Sequence, residues 1–265
     1  RNDDGLNVTV FYSAGESVRD KQYSQEIRLA SPTGGAFDYV LGAYYFKQDL
    51  DNKSFTYYGP QADVWNLTPA GALNNVDTIG NGHIDTDSYA LFAQGTWHVT
   101  DRLDFTVGIR STYEEKSAWV TRDAPSGGAA VTGAAAAARQ ARIGAYDSGD
   151  LNQYSFSPSG LLGLSYRFNE QLLGYATLTH GEKSGGVNLT VGAAPRLGTD
   201  SLLVGTERVN NAELGLKSTL FDGRLQLNSN LFWAEVHGYQ ANVYDQINRV
   251  QYLATAGRVR SRGLE

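Results

Sequence analysis

The segment LDFTVGIRSTY, from Leu103 to Tyr113, alternates between apolar and polar side chains. The odd-numbered positions are Leu103, Phe105, Val107, Ile109, Ser111 and Tyr113, and the even-numbered positions are Asp104, Thr106, Gly108, Arg110 and Thr112. Successive side chains of a β-strand point to opposite faces of its sheet. The alternation therefore predicts a strand with one apolar face and one polar, partly charged face.

The same alternation continues through other parts of the chain. It recurs over 88–99, where Phe92 is an exception, and over 212–220 and 224–233. The segments 37–50 and 172–180 carry aromatic residues on both faces, but their β-branched and aromatic content also favours strands. We count nine or ten strands, so the chain is predicted to be all-β.

Short and long connections alternate between these strands. The short turns fall at about 31–35, 98–102, 168–170 and 221–224, and the long polar connections at about 51–85, 118–150 and 181–205. In an up-and-down antiparallel sheet, alternate turns lie at the same end. Short turns at one end and long loops at the other are typical of outer-membrane barrels, with short periplasmic turns and long extracellular loops.

Strand length also favours a membrane barrel. The runs are about 10–16 residues long, against a usual length of about five or six, and 14 residues span about 46 Å. Such a strand, tilted by about 40°, crosses an apolar band of about 25 Å and projects beyond it. Several aromatic residues lie near strand ends, where they would form girdles against outer-membrane lipid: Trp97, Tyr113, Trp119, Tyr166 and Trp233.

Composition excludes several other classes of protein. The chain has 265 residues and a formal charge of −6, which does not support nucleic-acid binding. It has no cysteine, which excludes a disulfide scaffold, a cysteine-ligated metal site and a thiol nucleophile. The sequence contains no run of 18 uncharged apolar residues, so it predicts no transmembrane helix. The chain has no methionine, so we expect an internal fragment with strands missing at both ends.

Four segments resemble the barrel of TonB-dependent outer-membrane receptors, in that family's order and at its approximate spacing. They are YSQEIRLAS at 23–31, THGEKSGGVN at 179–188, ELGLKS at 213–218 and AGRVRSRGLE at 256–265. The second departs from the family pattern, because His180 replaces an arginine and Glu182 and Val187 replace aromatic residues. These departures argue against an anionic ferric catecholate as the ligand.

The resemblance implies a 22-stranded transmembrane barrel, of which residues 1–265 form the central part. In the family, an N-terminal plug closes the barrel and contacts TonB, and neither the plug nor the TonB box lies in this chain. The family takes up scarce nutrients across the bacterial outer membrane, most often ferric siderophores. Haem, cobalamin and glycans remain open as ligands.

Loop residues are the candidates for ligand contacts. Exposed aromatic side chains can stack on a ligand above a barrel, whereas the alternative is that they pack against neighbouring loops. The second resembling segment enters a loop and adds polar candidates. Together the candidates are Tyr57, Tyr58, Trp65, Tyr146, His180, Glu182, Lys183 and Asn188.

The sequence shows no pattern of catalysis. It contains no Gly-x-Ser-x-Gly motif and no P-loop, and its four histidines are scattered, so we expect no enzyme, no metal site and no cofactor. The alanine-rich segment at 134–142 is either a short helix or disordered. A passive porin-type channel is the alternative function, and a soluble lectin or adhesin is a third.

Overall fold

The computed structural model describes residues 10–192, 194–247 and 250–265. Most of this part of the chain is extended. In chain order the strands are β1 (Phe11–Ala30), β2 (Phe37–Tyr58), β3 (Val76–Thr100), β4 (Leu103–Arg122), β5 (Ser126–Gly127), β6 (Tyr146–Asp147), β7 (Leu151–Asn169), β8 (Leu172–Lys183), β9 (Gly186–Val187), β10 (Leu203–Val204), β11 (Glu207–Leu220), β12 (Leu225–His237), β13 (Gln240–Asp245), β14 (Val250–Thr255) and β15 (Arg258–Leu264).

Helices occur only in the connections of the described chain. They are α1 (Ala62–Asn66), α2 (Gly133–Ile143), α3 (Ala194–Leu197) and a 3₁₀ turn at Thr199–Leu202. Helix α2 settles the choice left open for the alanine-rich segment in favour of a helix. Among the described residues, every helix is too short or too polar to cross a bilayer.

Nine strands form one antiparallel sheet in the order β1-β2-β3-β4-β7-β8-β11-β12-β15. Each strand pairs with the next long strand along the chain, so the topology is up-and-down. The short strands β5 and β6 extend the sheet beside β3 and β4, while β9–β10 and β13–β14 are separate hairpins. The sheet does not close on itself within the described residues. The predicted all-β, up-and-down segment of a barrel is confirmed.

The two faces of the sheet differ as the alternation predicts. On β3, Tyr89, Leu91 and Trp97 are exposed, whereas Ser88 and Ala90 are buried. We call the first side the outer face and the second the inner face. Exposed apolar side chains such as Ile109, Leu164 and Leu231 also mark the outer face of β4, β7 and β12.

Phe92, the exception in the sequence, lies on the inner face. Its ring packs over Gly42 of the neighbouring strand, where a Cβ atom would lie only 2.2 Å from the ring. The guanidinium of Arg110 lies 5.8 Å from the Phe92 ring centroid and 5.4 Å from that of Tyr44. Phe92 is therefore part of a cation–π group on the inner face.

Aromatic rows border the apolar part of the outer face. Tyr45, Tyr89 and Tyr113 are paired across β2, β3 and β4, and the rings of Tyr45 and Tyr89 lie 5.1 Å apart. Phe37 and Trp97 are paired nearer the short turns. Tyr89 and Trp97 are eight residues apart, or about 26 Å along the strand and about 20 Å along the barrel axis at a tilt of about 40°. The rows therefore enclose an apolar band of roughly the height that a membrane barrel needs.

The connections differ in extent from the sequence-based bounds. The long connections span 59–75, 123–150, 184–206 and 238–257, and the last of these contains the β13–β14 hairpin, which the sequence analysis did not predict. The first is shorter than 51–85 because β2 and β3 remain paired as far as Tyr57 and Asp77. The turns shrink to as few as two residues, as between Thr100 and Leu103. All long connections lie at one end of the sheet, which we call the loop end.

Candidate functional site

A cavity of about 680 Å³ opens at the loop end, between the inner face of β1–β4 and the connections that fold over it. Strand residues such as Glu16 and Thr78 line one side of it. The other side is formed by α2, α3 and the segment Thr190–Gly192. The cavity is therefore built jointly by strands and loops, which is the arrangement expected of a ligand site at a barrel mouth.

Three arginines converge on this cavity: Arg122 at the end of β4, Arg142 in α2 and Arg196 in α3. Arg122 donates from Nε to the carbonyl oxygen of Gly144 at 2.8 Å, while its buried Nη2 has no hydrogen-bond partner among the described residues. A buried donor without a partner is costly. The Arg122 guanidinium is therefore suited to an acceptor on a ligand.

Burial and mutual repulsion shift the pKa values of the residues in this group. The group lies well beyond the tyrosine row and outside the apolar band. Burial lowers the pKa of Arg122 and of Arg196, and a neighbouring guanidinium lowers each further. Burial raises the pKa of Tyr58, against the opposing effect of all three arginines. Glu16 lines the same cavity and Asp245 attracts Arg196, so positive charge remains in excess. Such a site favours an anion.

The connection 184–206 is held against the inner face by close packing. The carbonyl oxygen of Leu189 approaches β3 at Gly82, where a Cβ atom would lie 2.4 Å from it. Val191 packs with Ile84 and Val120 in a small buried core. This packing places Thr190–Gly192 and α3 at the cavity, and it requires glycine at position 82.

The connection 59–75 is organised around a buried carboxylate. Asp63 accepts hydrogen bonds from Thr68 Oγ1 at 2.8 Å, Gly71 N at 2.6 Å and Leu73 N at 2.7 Å. Arg139 of α2 donates to the carbonyl oxygens of Gly71 and Ala72. These contacts join the first two long connections and thereby position α2, which carries Arg142.

The aromatic candidates have different surroundings. Tyr58 lines the cavity. Tyr57 has the opposite parity on β2 and its ring contacts Phe55 at 5.5 Å. Trp65 is exposed on α1, and Tyr146 packs against the core between the connections, with its hydroxyl 3.0 Å from Thr199 Oγ1. Of these four, the structure brings only Tyr58 to the arginines.

The polar candidates do not gather at the cavity. His180 and Glu182 share the parity of the exposed Leu178 and so lie on the outer face, where His180 contacts Asn210 at 2.8 Å and Glu182 contacts Arg208 at 2.9 Å. Lys183 ends β8 with an exposed side chain. Asn188 donates to two backbone carbonyl oxygens within the connections.

The placement of His180 and Glu182 changes the meaning of the departures from the family pattern. Because both side chains leave the inner face, their replacement of a cation and an aromatic residue does not alter the arginine cavity. Val187, the third departure, packs partly buried against the core that contains Val191. His180 and Glu182 therefore do not disfavour an anionic ligand at this cavity.

Sequence reasoning missed all three arginines. They lie 20 and 54 residues apart in chain order (122, 142, 196), in segments assigned to long polar connections without periodicity. The only signal was that these cations occur in two different long connections, 118–150 and 181–205, which an up-and-down sheet brings to one end.

A carboxylate–histidine group lies on the outer face of β2 and β3. Potential ligand atoms of Asp49, Asp51 and His83 lie within 4.8 Å of one another. No metal site is predicted from the sequence, since the spacing along the chain does not show this pairing across strands. Both ring nitrogens of His83 already contact carboxylates, Asp51 at 2.8 Å and Asp85 at 3.0 Å. Ion pairing accounts for the group.

Comparison with known proteins agrees with this architecture. The profile of the family described as "TonB dependent receptor-like, beta-barrel" matches residues 1–265. The ferric yersiniabactin uptake receptor FyuA from Yersinia pestis is similar over 95% of this chain and 32% of its own, with 17% identity and a TM-score of 0.68. The ferric-catecholate import receptor Fiu from E. coli K12, in its open form, is similar over 94% and 33%, with 16% identity and a TM-score of 0.56.

A third solved structure, the copper transporter OprC, covers 94% of this chain and 34% of its own, with 15% identity and a TM-score of 0.57. The chain thus spans about a third of the length of these proteins, and at such identities the likeness concerns the fold. Together with the family match over its whole length, the sheet topology leads to one conclusion: this chain belongs to the TonB-dependent receptor family, as part of the β-barrel.

Proposed function

We propose that this chain is the barrel part of a bacterial outer-membrane receptor that takes up a ferric siderophore by TonB-coupled active transport. Its membrane-facing surface is the apolar outer face, bordered by aromatic rows as in outer-membrane barrels. The plug and the TonB contact belong to parts of the receptor outside these residues. No catalytic step is proposed for the chain.

The observation that carries the proposal is the arginine cavity at the loop end. Its three guanidiniums and Tyr58 lie at the loop end, which in the proposed orientation faces the outside of the cell. Ferric siderophore complexes that carry carboxylate or catecholate groups are anionic. Arginine binds such oxygens through paired, charge-assisted hydrogen bonds. Capture at this cavity would be the first step, followed by movement past the plug when TonB pulls on it.

Uptake of radioactive iron tests the proposal. Cells with and without the complete natural gene are given iron-55 as an anionic ferric siderophore, in backgrounds with and without TonB. We expect saturable uptake that requires both the gene and TonB. Uptake that needs the gene, does not saturate and is independent of TonB would instead support the passive porin. Uptake that is indifferent to the gene would contradict both functions.

A further inference from the structure

Arg110 lies on the inner face of β4, level with the middle of the apolar band. It is paired with Phe92 on β3, and Phe92 lies between Tyr89 and Trp97, which belong to the two aromatic rows that border the band. An ionisable side chain at membrane depth is costly, and it usually faces a wet interior and serves a function. The arginine cavity lies at the loop end and does not explain a cation at this height.

Only neutral groups hold the Arg110 guanidinium. Its Nε donates to Thr112 Oγ1 at 3.1 Å, and its face packs over the rings of Tyr44 and Phe92. In the part of the chain that the structure describes, its two terminal nitrogens have no hydrogen-bond partner and no carboxylate forms an ion pair with it. The ring contacts orient the guanidinium without neutralising its charge. Its terminal N–H groups therefore remain for an outside acceptor.

A shallow cavity of about 290 Å³ lies beside Arg110. On the inner face it is lined by Gln94, Gly108, Ser159 and Leu161. The missing side chain of Gly108 leaves its floor open, and the Gln94 amide supplies further donors. Sites that enclose a whole ligand measure about 300–1,000 Å³. The cavity is thus suited to one anionic group of a larger complex.

Lys116, the next inward cation of β4 toward the loop end, is already compensated. It pairs with Glu114 and donates to Ser184 Oγ at 2.9 Å, and the side chains of Lys116 and Glu114 are 13% and 16% exposed. Arg122 of the arginine cavity is twelve residues from Arg110. That separation is about 40 Å along the strand and about 30 Å along the barrel axis at a tilt of about 40°. Arg110 is therefore the first uncompensated inward cation on β4 below the cavity.

A cation at this height changes the energetics of an anion inside the barrel. An anion that leaves the loop end exchanges part of its hydration for a wall surrounded by lipid, which is unfavourable unless the wall supplies charge or hydrogen bonds. A fixed guanidinium offsets that loss through charge-assisted hydrogen bonds. Contact with one guanidinium is also weak enough to be released, as passage through a pore requires.

We propose that Arg110, with Gln94 beside it, is a second binding position for the anionic ligand, occupied briefly between the arginine cavity and the short-turn end. The proposal rests on the proposed function, because it requires an anionic ferric complex to be taken up through this barrel. It gives the β3–β4 wall a role in transport, whereas the arginine cavity serves capture. Loss of Arg110 should therefore slow transport and leave the first binding step unchanged.

Iron-55 supplied as ferric citrate to cells with the complete natural gene separates the two steps. Equilibrium binding is measured in cells that lack TonB, and the maximal uptake rate in cells that have it. We expect Arg110→Gln to lower the maximal rate at least about fivefold while equilibrium binding stays within about twofold of that of the natural protein. Arg110→Lys, which keeps the charge, should recover most of the rate. Heat-modifiable mobility on gels checks that each variant is folded in the outer membrane.

Lys217→Gln is the matched control. Lys217 is also an inward cation over a tyrosine ring, 5.2 Å from the centroid of Tyr175, but it lies on β11. Its replacement should leave both binding and uptake unchanged. An equal loss of uptake in Lys217→Gln and Arg110→Gln would overturn the proposal, since the effect would then belong to any inward cation.

Two further results would overturn the proposal. One is an unchanged maximal rate in Arg110→Gln. The other is entry of vancomycin into cells that lack TonB and carry Arg110→Gln, because Arg110 would then hold the plug in place and not the ligand. In both cases the natural protein would still show TonB-dependent uptake of ferric citrate. Absence of that uptake from the natural protein would contradict the proposed function as well, so the two failures are distinguishable.

Discussion

Gly82 shows how a single residue positions the candidate site from a distance. It contacts no arginine, yet its missing side chain allows the Leu189 carbonyl to lie against β3. Any side chain at this position must displace backbone, which is costly to move. The connection 184–206, with Arg196, depends on that contact.

Replacement of Gly82 by alanine should loosen this connection. Overpacking of a close contact costs about 1–3 kcal/mol, and here the strain falls on the packing of Val191 against β3 and β4. We expect trypsin to cleave after Arg196 in the folded variant at least about fivefold faster than in the natural protein. Gly181→Ala is the control, because a Cβ atom there meets nothing within 4 Å. Equal cleavage of Gly82→Ala and Gly181→Ala would contradict this account of the loop.

The difference between Tyr58 and His180 shows what the sequence could and could not predict at the residue scale. Both residues are ligand candidates by residue type and by their position near a loop. The face on which each side chain lies depends on whether its position in the strand is odd or even, as for its neighbours on the outer or inner face. For His180 the informative neighbour is Leu178, an exposed apolar residue two positions away in the same strand, which indicates that His180 lies on the outer face. Motif resemblance suggested a ligand role that parity does not support.

At the scale of elements, the strands are predictable and the connections are not. Alternation over 103–113 follows directly from a sheet with one apolar and one polar face. The connection 59–75 has no such periodicity, and its order comes from the Asp63 carboxylate satisfying backbone N–H groups at distances of eight and ten residues. Hydrogen bonds of this kind leave no regular pattern in a sequence.

Removal of the Asp63 carboxylate should open this connection. Hydrogen bonds to a charged group contribute about 1.5–3 kcal/mol each, and Asp63→Ala leaves the N–H groups of Gly71 and Leu73 without an acceptor. We expect chymotrypsin to cleave near Trp65 at least about tenfold faster, with the barrel still folded. Gln61→Ala, an exposed neighbour, should leave cleavage unchanged. Protection of Trp65 in Asp63→Ala would show that other contacts hold the connection.

At the scale of the whole molecule, the fold depends on a sheet with one apolar face and one polar face. Side chains between the aromatic rows are apolar outside, whereas the inner face carries groups such as Arg110 and Gln94. This division was visible in the sequence because the alternation recurs over 88–99, 103–113, 212–220 and 224–233. The arginine cavity was not visible, since it forms only when two connections, 123–150 and 184–206, meet the strand ends at one end of the sheet.

Neighbouring positions on β3 allow a direct test of the two faces. Ala93 lies midway between Tyr89 and Trp97 on the outer face, and Gln94 lies on the inner face. A cation at the middle of a lipid-facing band costs about 2–4 kcal/mol. Ala93→Arg should therefore lower the free energy of unfolding in lipid vesicles by that amount, measured by urea titration of the complete natural protein. Gln94→Arg should change it by less than about 1 kcal/mol. A larger loss of unfolding free energy for Gln94→Arg than for Ala93→Arg would show that the two faces are assigned wrongly.

Binding of an anionic iron complex by the complete natural protein tests the central claim most directly. Titration calorimetry compares ferric citrate, which carries several negative charges, with a neutral ferric hydroxamate, for the natural protein and for Arg122→Gln/Arg196→Gln. Arg102→Gln, at an exposed turn on the opposite end, is the control. We predict preferential binding of ferric citrate, a loss of at least about tenfold in the double variant and none in the control. Equal affinity of the natural protein and the double variant for ferric citrate, or a preference for the neutral complex, would contradict the account.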